Sequence, residues 1–274
     1  MPDQLGSEGG EVLTGGDIMD YRLLTLHVYN GIATITLNRP KVLNALSWDL
    51  VTEIECAARE LHGDERVRAV VIAGSGGNFA AGADIGPMAE REPAEAKNYT
   101  FNSAFNALED LPVPVIAAVS GYALGGGLEL ALACDFRICA SDAKLGMPEI
   151  QLAIFPGAGG TQRLPKLIGL SRAKMMIFLG ETVNAATALE WGLCDKVVEG
   201  DPVPEAMALA GKLAERPPVA LRRAKRAVNH GFYRGLREGI YFEEDSWATL
   251  FSTEDQKEGM RAFMEKRKPV FRGK

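Results

Sequence analysis

Alternating apolar and polar residues near the start of the chain predict two strands joined by a tight turn. Residues 21–28 and 32–37 each alternate in this way, and Asn30-Gly31 lies between them. An Asn-Gly pair between two alternating segments is a strong signal for a β-hairpin. Further along, Ser47 precedes apolar residues at helical spacing, which continue to Leu61. The pattern therefore predicts a hairpin followed by a helix that Ser47 caps.

Two continuous apolar segments predict strands that are covered on both faces. They span residues 67–73 and 112–119, and neither alternates between apolar and polar side chains. Strands inside a parallel sheet have this composition. A glycine-rich turn follows each strand, at residues 74–86 and 121–127. We therefore predict an α/β fold in which ββα units wind on one another, although the two units are too dissimilar to form a sequence repeat.

A change in composition near residue 200 divides the chain. After Pro204, lysine and arginine become frequent in segments of helical periodicity, with interruptions at Pro217-Pro218 and at Gly231. We predict an α/β core over residues 19–200 and a C-terminal helical region over residues 201–274. Residues 1–18 contain four acidic residues and neither lysine nor arginine. This composition excludes a secretory signal or a transit peptide and predicts a flexible tail.

Composition and charge also exclude several classes of partner. The net charge of −6 at pH 7 argues against a protein that follows nucleic-acid phosphates, because such proteins usually present a basic face. No apolar segment approaches the roughly 20 residues that a membrane helix requires. The four cysteines have no CxxC spacing, and three of them lie in apolar segments. We therefore expect a cytoplasmic protein with reduced cysteines, and neither a nucleic acid nor a membrane as its partner.

The signatures of several common enzyme classes are absent from the sequence. The chain lacks a GxSxG elbow, an HExxH motif, a Cys/His cluster, carboxylates at metal-binding spacing, and a complete dinucleotide or P-loop fingerprint. Its three histidines lie far along the chain from any nucleophile motif. We expect neither a metal ion nor a nucleotide cofactor.

Two acidic residues in short, mostly apolar segments are the best candidates for catalysis. Glu129 follows the triple glycine Gly125–Gly127, and Glu149 follows Pro148. Paired carboxylates in such surroundings are suited to general acid–base chemistry. In the alternative, structural explanation, Glu129 is a salt-bridged buried acid, Glu149 is a loop end that faces solvent, and the glycines form a tight turn. These residues alone leave both explanations open.

Two turns are candidates for binding a negatively charged oxygen. The turn at residues 82–85 and the predicted helix start at residues 125–127 both follow buried strands, so we expect them at one edge of the sheet. Each turn can present a backbone N–H that has no partner in the chain. Two such donors form an oxyanion hole, which stabilises charge that develops on an oxygen during a reaction.

Four motifs resemble the enoyl-CoA hydratase/isomerase (crotonase) superfamily, and most closely its true enoyl-CoA hydratases. They are FAAGADI, GYALGGGLE, MPE and PGAGGTQRL, in this order and at this spacing. The likeness extends from residues 38–46 to residues 258–268. It implies a right-handed, crotonase-like spiral of ββα units with a C-terminal helical region. It also implies a homotrimer, or a homohexamer that consists of two trimers.

The resemblance implies roles for individual residues. The oxyanion-hole donors correspond to the N–H groups of Ala83 and Gly126, and the two catalytic acids correspond to Glu129 and Glu149. Both acids are present, which distinguishes this chain from members that retain one of them. The residues that are implied to contact the substrate are Lys41, Val42, Leu43, Ala81, Asp84, Ile85, Gly157, Phe263 and Lys266. The last two reach the CoA of a neighbouring subunit in many members.

The implied reaction is the addition of water across the C2=C3 bond of a trans-2-enoyl-CoA thioester, which gives a 3-hydroxyacyl-CoA. We expect Glu149 to donate a proton to C2 and Glu129 to activate water, but two close carboxylates titrate as a pair and the division stays open. CoA is part of the substrate, so no cofactor is expected.

Two alternatives to a hydratase remain. One is another acyl-CoA enzyme of this fold, namely a double-bond isomerase, a hydrolase or a ring-modifying enzyme. The other is a non-catalytic CoA-binding or scaffolding protein.

Overall fold

Two β-sheets organise residues 21–274, which are the part of the chain that the computed structural model describes. The tail predicted over residues 1–18 lies outside this part. The strands of the described part are, in chain order, β1 (Leu24–Tyr29), β2 (Ile32–Leu37), β3 (Ala69–Gly74), β4 (Val115–Val119), β5 (Tyr122–Leu124), β6 (Phe136–Ala140), β7 (Lys144–Gly146), β8 (Thr182–Asn184) and β9 (Lys196–Val198).

The larger sheet has six strands in the order β1-β2-β3-β4-β6-β9. β1 and β2 form the predicted antiparallel hairpin, and the other neighbouring strands are parallel. The smaller sheet has the order β5-β7-β8, and each of its strands contains three residues. Sequence analysis missed the smaller sheet because a strand of three residues is too short to show a periodic pattern.

Helices lie between the strands and make up the regular structure after β9. Ser47 caps the first helix, as predicted, because its side chain accepts the N–H of Leu50. The helices are, in chain order, α1 (Trp48–Gly63), α2 (Pro93–Asn98), α3 (Asn102–Glu109), α4 (Gly126–Leu132), α5 (Gly160–Ile168), α6 (Leu170–Leu179), α7 (Ala185–Trp191), α8 (Val203–Ala214), α9 (Pro218–Arg234), α10 (Leu236–Leu250) and α11 (Glu254–Met264). The predicted α/β architecture is therefore confirmed.

The strands β3 and β4 are covered on both faces, as their continuous apolar sequences predict. Val70 and Ile72 of β3 belong to the larger core, which α1, α3 and α4 complete. Val71, between them, belongs to a smaller core on the opposite face, where it lies with Ala206 and Ala210 of α8. Because successive side chains of a strand point to opposite faces, one apolar segment supplies both cores.

Helix α8 ties the sheet to the segment that follows the predicted boundary near residue 200. It contacts β2, β3, β4 and β6 and supplies the helical layer of the smaller core. The helices α9–α11 continue from it, and the break predicted at residues 217–218 separates α8 from α9. The division of the chain at residue 200 stays a prediction.

The interruption predicted at Gly231 is wrong. Helix α9 continues through Gly231 and ends before Gly235, whose φ of 102° is the conformation that terminates it. Gly231 lies against Gly239 of α10, where a Cβ on Gly239 would be 2.6 Å from the Cα of Gly231. The two glycines therefore mark a close crossing of α9 and α10, because only residues without a side chain permit this approach.

The turns that follow β3 and β4 lie side by side, as expected from strands of one parallel sheet. Ala80 forms a bridge with Ala123 of β5, and Leu46 forms a bridge with Ala83. These contacts hold the first glycine-rich turn against the start of α1 on one side and against β5 on the other. The same edge of the sheet therefore carries the first turn and the start of α4.

The described helices and the described His, Cys, Asp and Glu side chains bear on possible partners. Within residues 21–274, no helix has both the length and the apolar composition that crossing a bilayer requires. In the same residues, no group of three or more His, Cys, Asp and Glu side chains is placed to hold a metal ion.

Candidate active site

A cavity of about 450 Å³ opens beside the start of α4. Seven of the predicted site residues line it, and they come from three separate segments of the chain: Ala81, Ala83, Ile85, Gly126, Glu129, Glu149 and Gly157. A second cavity of about 430 Å³ lies against α9, and no predicted site residue lines that one. The structure thus brings both acids and both candidate N–H donors to one place.

Glu129 is buried near the start of α4, with 3% of its surface exposed. Its Oε1 accepts the N–H of Ala158 at 2.7 Å and the N–H of Gly160 at 2.8 Å. Burial raises the pKa of this carboxyl above its ordinary value, although the two N–H groups and the charge of Arg163 act in the opposite direction. The two donors favour the carboxylate form. In the described residues Oε2 accepts no hydrogen bond, so one oxygen is anchored and the other stays available.

Glu149 lies in a 3₁₀ turn, Pro148–Leu152, on the other side of the cavity. Its Oε2 is buried and has no hydrogen-bond partner in residues 21–274. Burial raises its pKa to about 7, and the nearby charge of Glu129 contributes to this increase. A carboxyl with this pKa can gain or lose a proton near neutral pH, which suits general acid–base catalysis.

The two candidate N–H donors are close to each other. Gly126 is the first residue of α4, so its N–H has no partner inside the helix. A Cβ built on Gly126 would lie 3.6 Å from the nitrogen of Ala83. Neither N–H donates a hydrogen bond to another group of the described chain. Both donors line the cavity, so they can bind the same oxygen atom of a ligand.

Adjacent glycines fix the start of α4. Gly125 has φ 50° and ψ −123°, a conformation that side chains disfavour, and a Cβ there would lie 2.9 Å from Oε1 of Glu149. A Cβ on Gly127 would lie only 2.0 Å from the carbonyl oxygen of Ala80. The triple glycine therefore serves close packing of α4 against the first turn and against the second acid.

Three predicted contact residues, Lys41, Val42 and Leu43, lie in a loop beside the cavity and do not line it. The Leu43 carbonyl accepts the N–H of Ala81, which does line it. The buried Asn44 side chain holds the loop by accepting the N–H of Arg39 and donating to two backbone carbonyls. This loop therefore forms an ordered rim next to the cavity.

Asp84, Phe263 and Lys266 also lie outside the cavity lining. Asp84 forms an ion pair with Arg39, with a nitrogen–oxygen distance of 3.3 Å. Phe263 belongs to α11, and 86% of its surface is exposed. Within the described chain, these residues do not join the two acids. Their predicted contacts with CoA stay predictions.

Sequence analysis missed several residues that shape the site. The N–H groups of Ala158 and Gly160, which hold Glu129, belong to the PGAGGTQRL motif, in which sequence analysis assigned a role to Gly157 alone. Tyr99 and Phe101 form an aromatic wall of the cavity, and Tyr99 stacks on Trp48. The resemblance implied that about residues 88–105 shape the acyl pocket, but no periodic signal singled out these two aromatic residues within that segment.

Comparison with known proteins assigns the family. The family model described as enoyl-CoA hydratase/isomerase matches residues 27–274. The chain belongs to this family. The short-chain-enoyl-CoA hydratase of Clostridium acetobutylicum is 43% identical over 254 residues, which cover 91% of this chain and 97% of that protein. The crotonyl-CoA hydratase of Syntrophomonas wolfei is 42% identical over 257 residues, which cover 92% of this chain and 99% of that protein.

A solved structure of the family confirms the predicted fold class. The enoyl-CoA hydratase subunit I of Geobacillus kaustophilus superimposes with a TM-score of 0.89 at 45% identity. The match covers 93% of this chain and all of that one. The resemblance read from the four motifs is therefore confirmed over most of the chain.

The proximity of the two acids yields a prediction about their titration. We expect the Glu149 carboxyl to titrate near pH 7, and Glu129→Gln to lower its pKa because the substitution removes a neighbouring negative charge. Carbon NMR of protein with labelled glutamate carboxyls measures both values. Glu190→Gln, an exposed change that does not line the cavity, is the control and should leave the pKa unchanged. A Glu149 pKa near the ordinary value of 4.5 would contradict this description of the site.

Proposed function

We propose that this protein is an enoyl-CoA hydratase, which adds water across the C2=C3 bond of a trans-2-enoyl-CoA thioester to give a 3-hydroxyacyl-CoA. The observation that carries the proposal is the arrangement of Glu129 and Glu149 in one cavity beside two N–H groups without partners. The names of the related hydratases support it. Both acids line the cavity, which favours a hydratase over a family member that uses one acid and over a non-catalytic CoA-binding protein.

The two N–H groups act on the thioester oxygen. When water adds at C3, negative charge develops on this oxygen, as in an enolate. The N–H groups of Ala83 and Gly126 converge on the cavity and donate to that oxygen. Such donors stabilise the transition state because they are already oriented when the charge appears, and one is typically worth about 3–4 kcal/mol.

The two acids divide the proton transfers. One oxygen of Glu129 accepts the hydrogen bonds from the N–H groups of Ala158 and Gly160, and the other oxygen accepts a proton from the attacking water. Glu149, with a pKa raised to about 7, delivers a proton to C2. The roles belong to an interacting pair, so the macroscopic titration is that of both carboxyls together.

The reaction as proposed requires only these groups and the substrate. It transfers neither a hydride nor an electron, and CoA enters as part of the thioester, so no further cofactor takes part. In this proposal Lys41, Val42, Leu43 and Asp84 contact CoA at the mouth of the cavity, and the hydrogen bond between Leu43 and the cavity residue Ala81 supports this. All four cysteines are free thiols, in keeping with a cytoplasmic enzyme.

The function is tested by hydration of crotonyl-CoA, followed as the loss of enoyl absorbance. We expect the purified protein to catalyse it, and Glu129→Gln and Glu149→Gln each to lower kcat by about 10²–10⁴, because each removes a proton-transfer group. Binding of a saturated acyl-CoA should change little in either variant. Glu190→Gln is the exposed control. A protein that binds acyl-CoA but leaves crotonyl-CoA unchanged would refute the proposal, and a variant with normal turnover would remove that acid from the mechanism.

The oxyanion hole is tested by comparing alanine at three glycines that all lie within helices. On Gly126 the new methyl group meets only ordinary contacts of 3.5–3.6 Å, so we expect a folded protein whose methyl group crowds the site of the thioester oxygen. Alanine keeps the N–H, but its methyl group displaces the oxygen from it, so turnover should fall by up to about 10²–10³, the loss that follows removal of a donor. Circular dichroism and the crotonyl-CoA assay measure the two properties.

The other two positions in this comparison are controls. Gly127→Ala places its Cβ against the carbonyl of Ala80 and should unfold the protein or strongly destabilise it. Gly211→Ala in α8 has open space and should keep activity while gaining up to about 1 kcal/mol of stability. A folded Gly126→Ala variant with wild-type turnover would contradict the close approach of the thioester oxygen to Gly126.

We also propose a homotrimer, or a homohexamer of two trimers. Helices α9–α11 expose apolar side chains that water does not favour, among them Val228, Leu236, Phe263 and Met264. In such an assembly Phe263 and Lys266 can reach the CoA bound to a neighbouring subunit. The exposed apolar area on these helices supports the proposal.

Light scattering measures the assembly. We expect a mass about three or six times the 29.5 kDa of the chain. Leu236→Asp should dissociate it without harming the fold, because an acidic residue at the first position of α10 is favourable there. Tyr29→Asp, at another exposed apolar position, is the control. A wild-type monomer at micromolar concentration with full activity would contradict the assembly.

A further inference from the structure

A buried arginine stands behind the loop that holds Glu129. Arg163, on α5, has 7% of its surface exposed. Its Nη2 donates to Oδ1 of Asn106 at 2.8 Å and to Oε2 of Glu109 at 2.9 Å, and its Nε donates to Oε1 of Glu109 at 3.3 Å. Its Nη1 donates to the carbonyl of Ala158 at 3.2 Å. The guanidinium therefore joins α3 to the loop over residues 157–160.

This loop is held at successive peptide groups. The peptide between Gly157 and Ala158 donates its N–H to Glu129 and accepts a hydrogen bond at its carbonyl from Asn102, at 3.1 Å. The next carbonyl, that of Ala158, is the one that Arg163 binds. The following peptide supplies the N–H of Gly160, which is the second donor to Glu129. Because a peptide is planar, the bond from Asn102 to the Gly157 carbonyl fixes the direction of the Ala158 N–H. The Gly160 N–H shares its peptide with the Gly159 carbonyl, which accepts the backbone N–H groups of Gln162 and Arg163. The guanidinium of Arg163 restrains the peptide between these two, through the Ala158 carbonyl.

The loop packs closely against the guanidinium of Arg163. Gly159 has φ 98°, in the left-handed region, and a Cβ there would lie 2.1 Å from Nη1 of Arg163. On the other side of the loop, a Cβ on Gly160 would lie 2.9 Å from Oε1 of Glu129. The loop is therefore a thin layer of backbone between a buried cation and a buried acid.

Helix α3 supplies the polar partners of this arrangement from one of its faces. Asn102, Asn106 and Glu109 are four and three residues apart, which places them on the same side of a helix. Glu109 also accepts a hydrogen bond from the hydroxyl of Tyr233 on α9. Besides its ion pair with Glu109, the guanidinium of Arg163 donates to the carbonyl of Ala158 in the loop.

We propose that Arg163 is a positioning residue for Glu129, which clamps the loop over residues 157–160 against α3 so that the N–H groups of Ala158 and Gly160 stay directed at the carboxylate. The part of this inference that concerns turnover rests on the hydratase function proposed above. Two charged groups act on Glu129 across the site, Arg163 and Glu149. The charge of Arg163 lowers the pKa of Glu129 and so opposes the effect of burial.

A matched control is available in Arg137, a second buried arginine with 3% of its surface exposed. It donates to the carbonyls of Leu193 and Cys134 and pairs with Asp195, and it does not contact the loop over residues 157–160. Arg163→Met and Arg137→Met each remove a buried cation that binds backbone carbonyls. Arg163→Lys and Arg137→Lys each keep the charge and lose the forked donors.

The first measurement does not depend on activity. Carbon NMR of labelled glutamate, assigned with Glu129→Gln, should show a higher Glu129 pKa in Arg163→Met than in wild type, an intermediate value in Arg163→Lys, and no change in Arg137→Met. Crystal structures of the same variants should show the Ala158–Glu129 hydrogen bond lengthened beyond 2.7 Å in Arg163→Met alone. If Arg163→Met does not fold, the Glu129 pKa and the Ala158–Glu129 hydrogen bond are measured in Arg163→Lys instead, and that variant decides the proposal. An unchanged Glu129 pKa with an unchanged hydrogen bond would overturn the proposal.

The second measurement is the pH dependence of crotonyl-CoA hydration. Glu129 must be ionised to accept a proton, so a raised pKa shifts the loss of activity on the acid side to higher pH. In Arg163→Met we expect this shift, a decrease in kcat of about 10–100-fold from the misplaced acid, and KM within about threefold of wild type. Arg163→Lys should recover part of the loss. Equal losses in the Met variants of Arg163 and Arg137, with unchanged pH profiles, would reduce Arg163 to a structural role.

The two proposals fail in different ways. A wild-type protein without hydratase activity would refute the hydratase function, while the pKa and the hydrogen bond of Glu129 would still decide the role of Arg163. A wild-type protein with activity, combined with an unaffected Glu129 in Arg163→Met, would refute the positioning role and leave the hydratase function standing.

Discussion

The close contact between the start of α4 and the turn after β3 is the constraint on which the site depends. Gly127 allows the α4 backbone to lie against the carbonyl of Ala80, where a Cβ would be only 2.0 Å away. This contact brings the nitrogen of Ala83 beside Gly126 and directs Glu129 into the cavity. A helix held by larger side chains would stand farther away, and the two N–H groups would no longer face one oxygen. Packing therefore determines the chemistry of this edge of the sheet.

The two carboxyls of the site differ in their burial and in their hydrogen-bond partners. Glu129 is more deeply buried, and burial raises its pKa although two N–H groups and a cation partly offset the effect. Glu149 has a buried oxygen without a partner, and its pKa is raised from 4.5 to about 7. Because the folded state disfavours the ionised form, this carboxyl reduces folded stability progressively as the pH rises from about 4.5 to about 7. The protein thus loses some folded stability at Glu149, the position where a transferable proton is useful.

The parts of the structure that repeat a pattern could be predicted from sequence, and the parts that rest on single contacts could not. The hairpin, the two doubly covered strands and the helix after Ser47 follow from periodicity, because long segments average over many side chains. Glycine-rich turns and family motifs predicted seven of the residues that line the cavity. The helix break predicted at Gly231 was wrong because a glycine that ends a helix and a glycine that permits two helices to cross cannot be distinguished by sequence. The loop donors to Glu129 depend on backbone direction, which no residue type specifies.

The polar contacts around Arg163 explain how a helix outside the sheet bears on the site. Tyr233 of α9 donates to Glu109, Glu109 binds Arg163, and Arg163 binds the loop that holds Glu129. Lys166 of α5 adds a second link, because its ammonium group lies over the rings of Phe232 and Tyr233. A displacement of α9 would remove the hydrogen bond from Tyr233 to Glu109, which is the partner of Arg163 in its ion pair. Because weakening the partners of a buried charge is costly, the position of α9 and the direction of the loop are energetically connected.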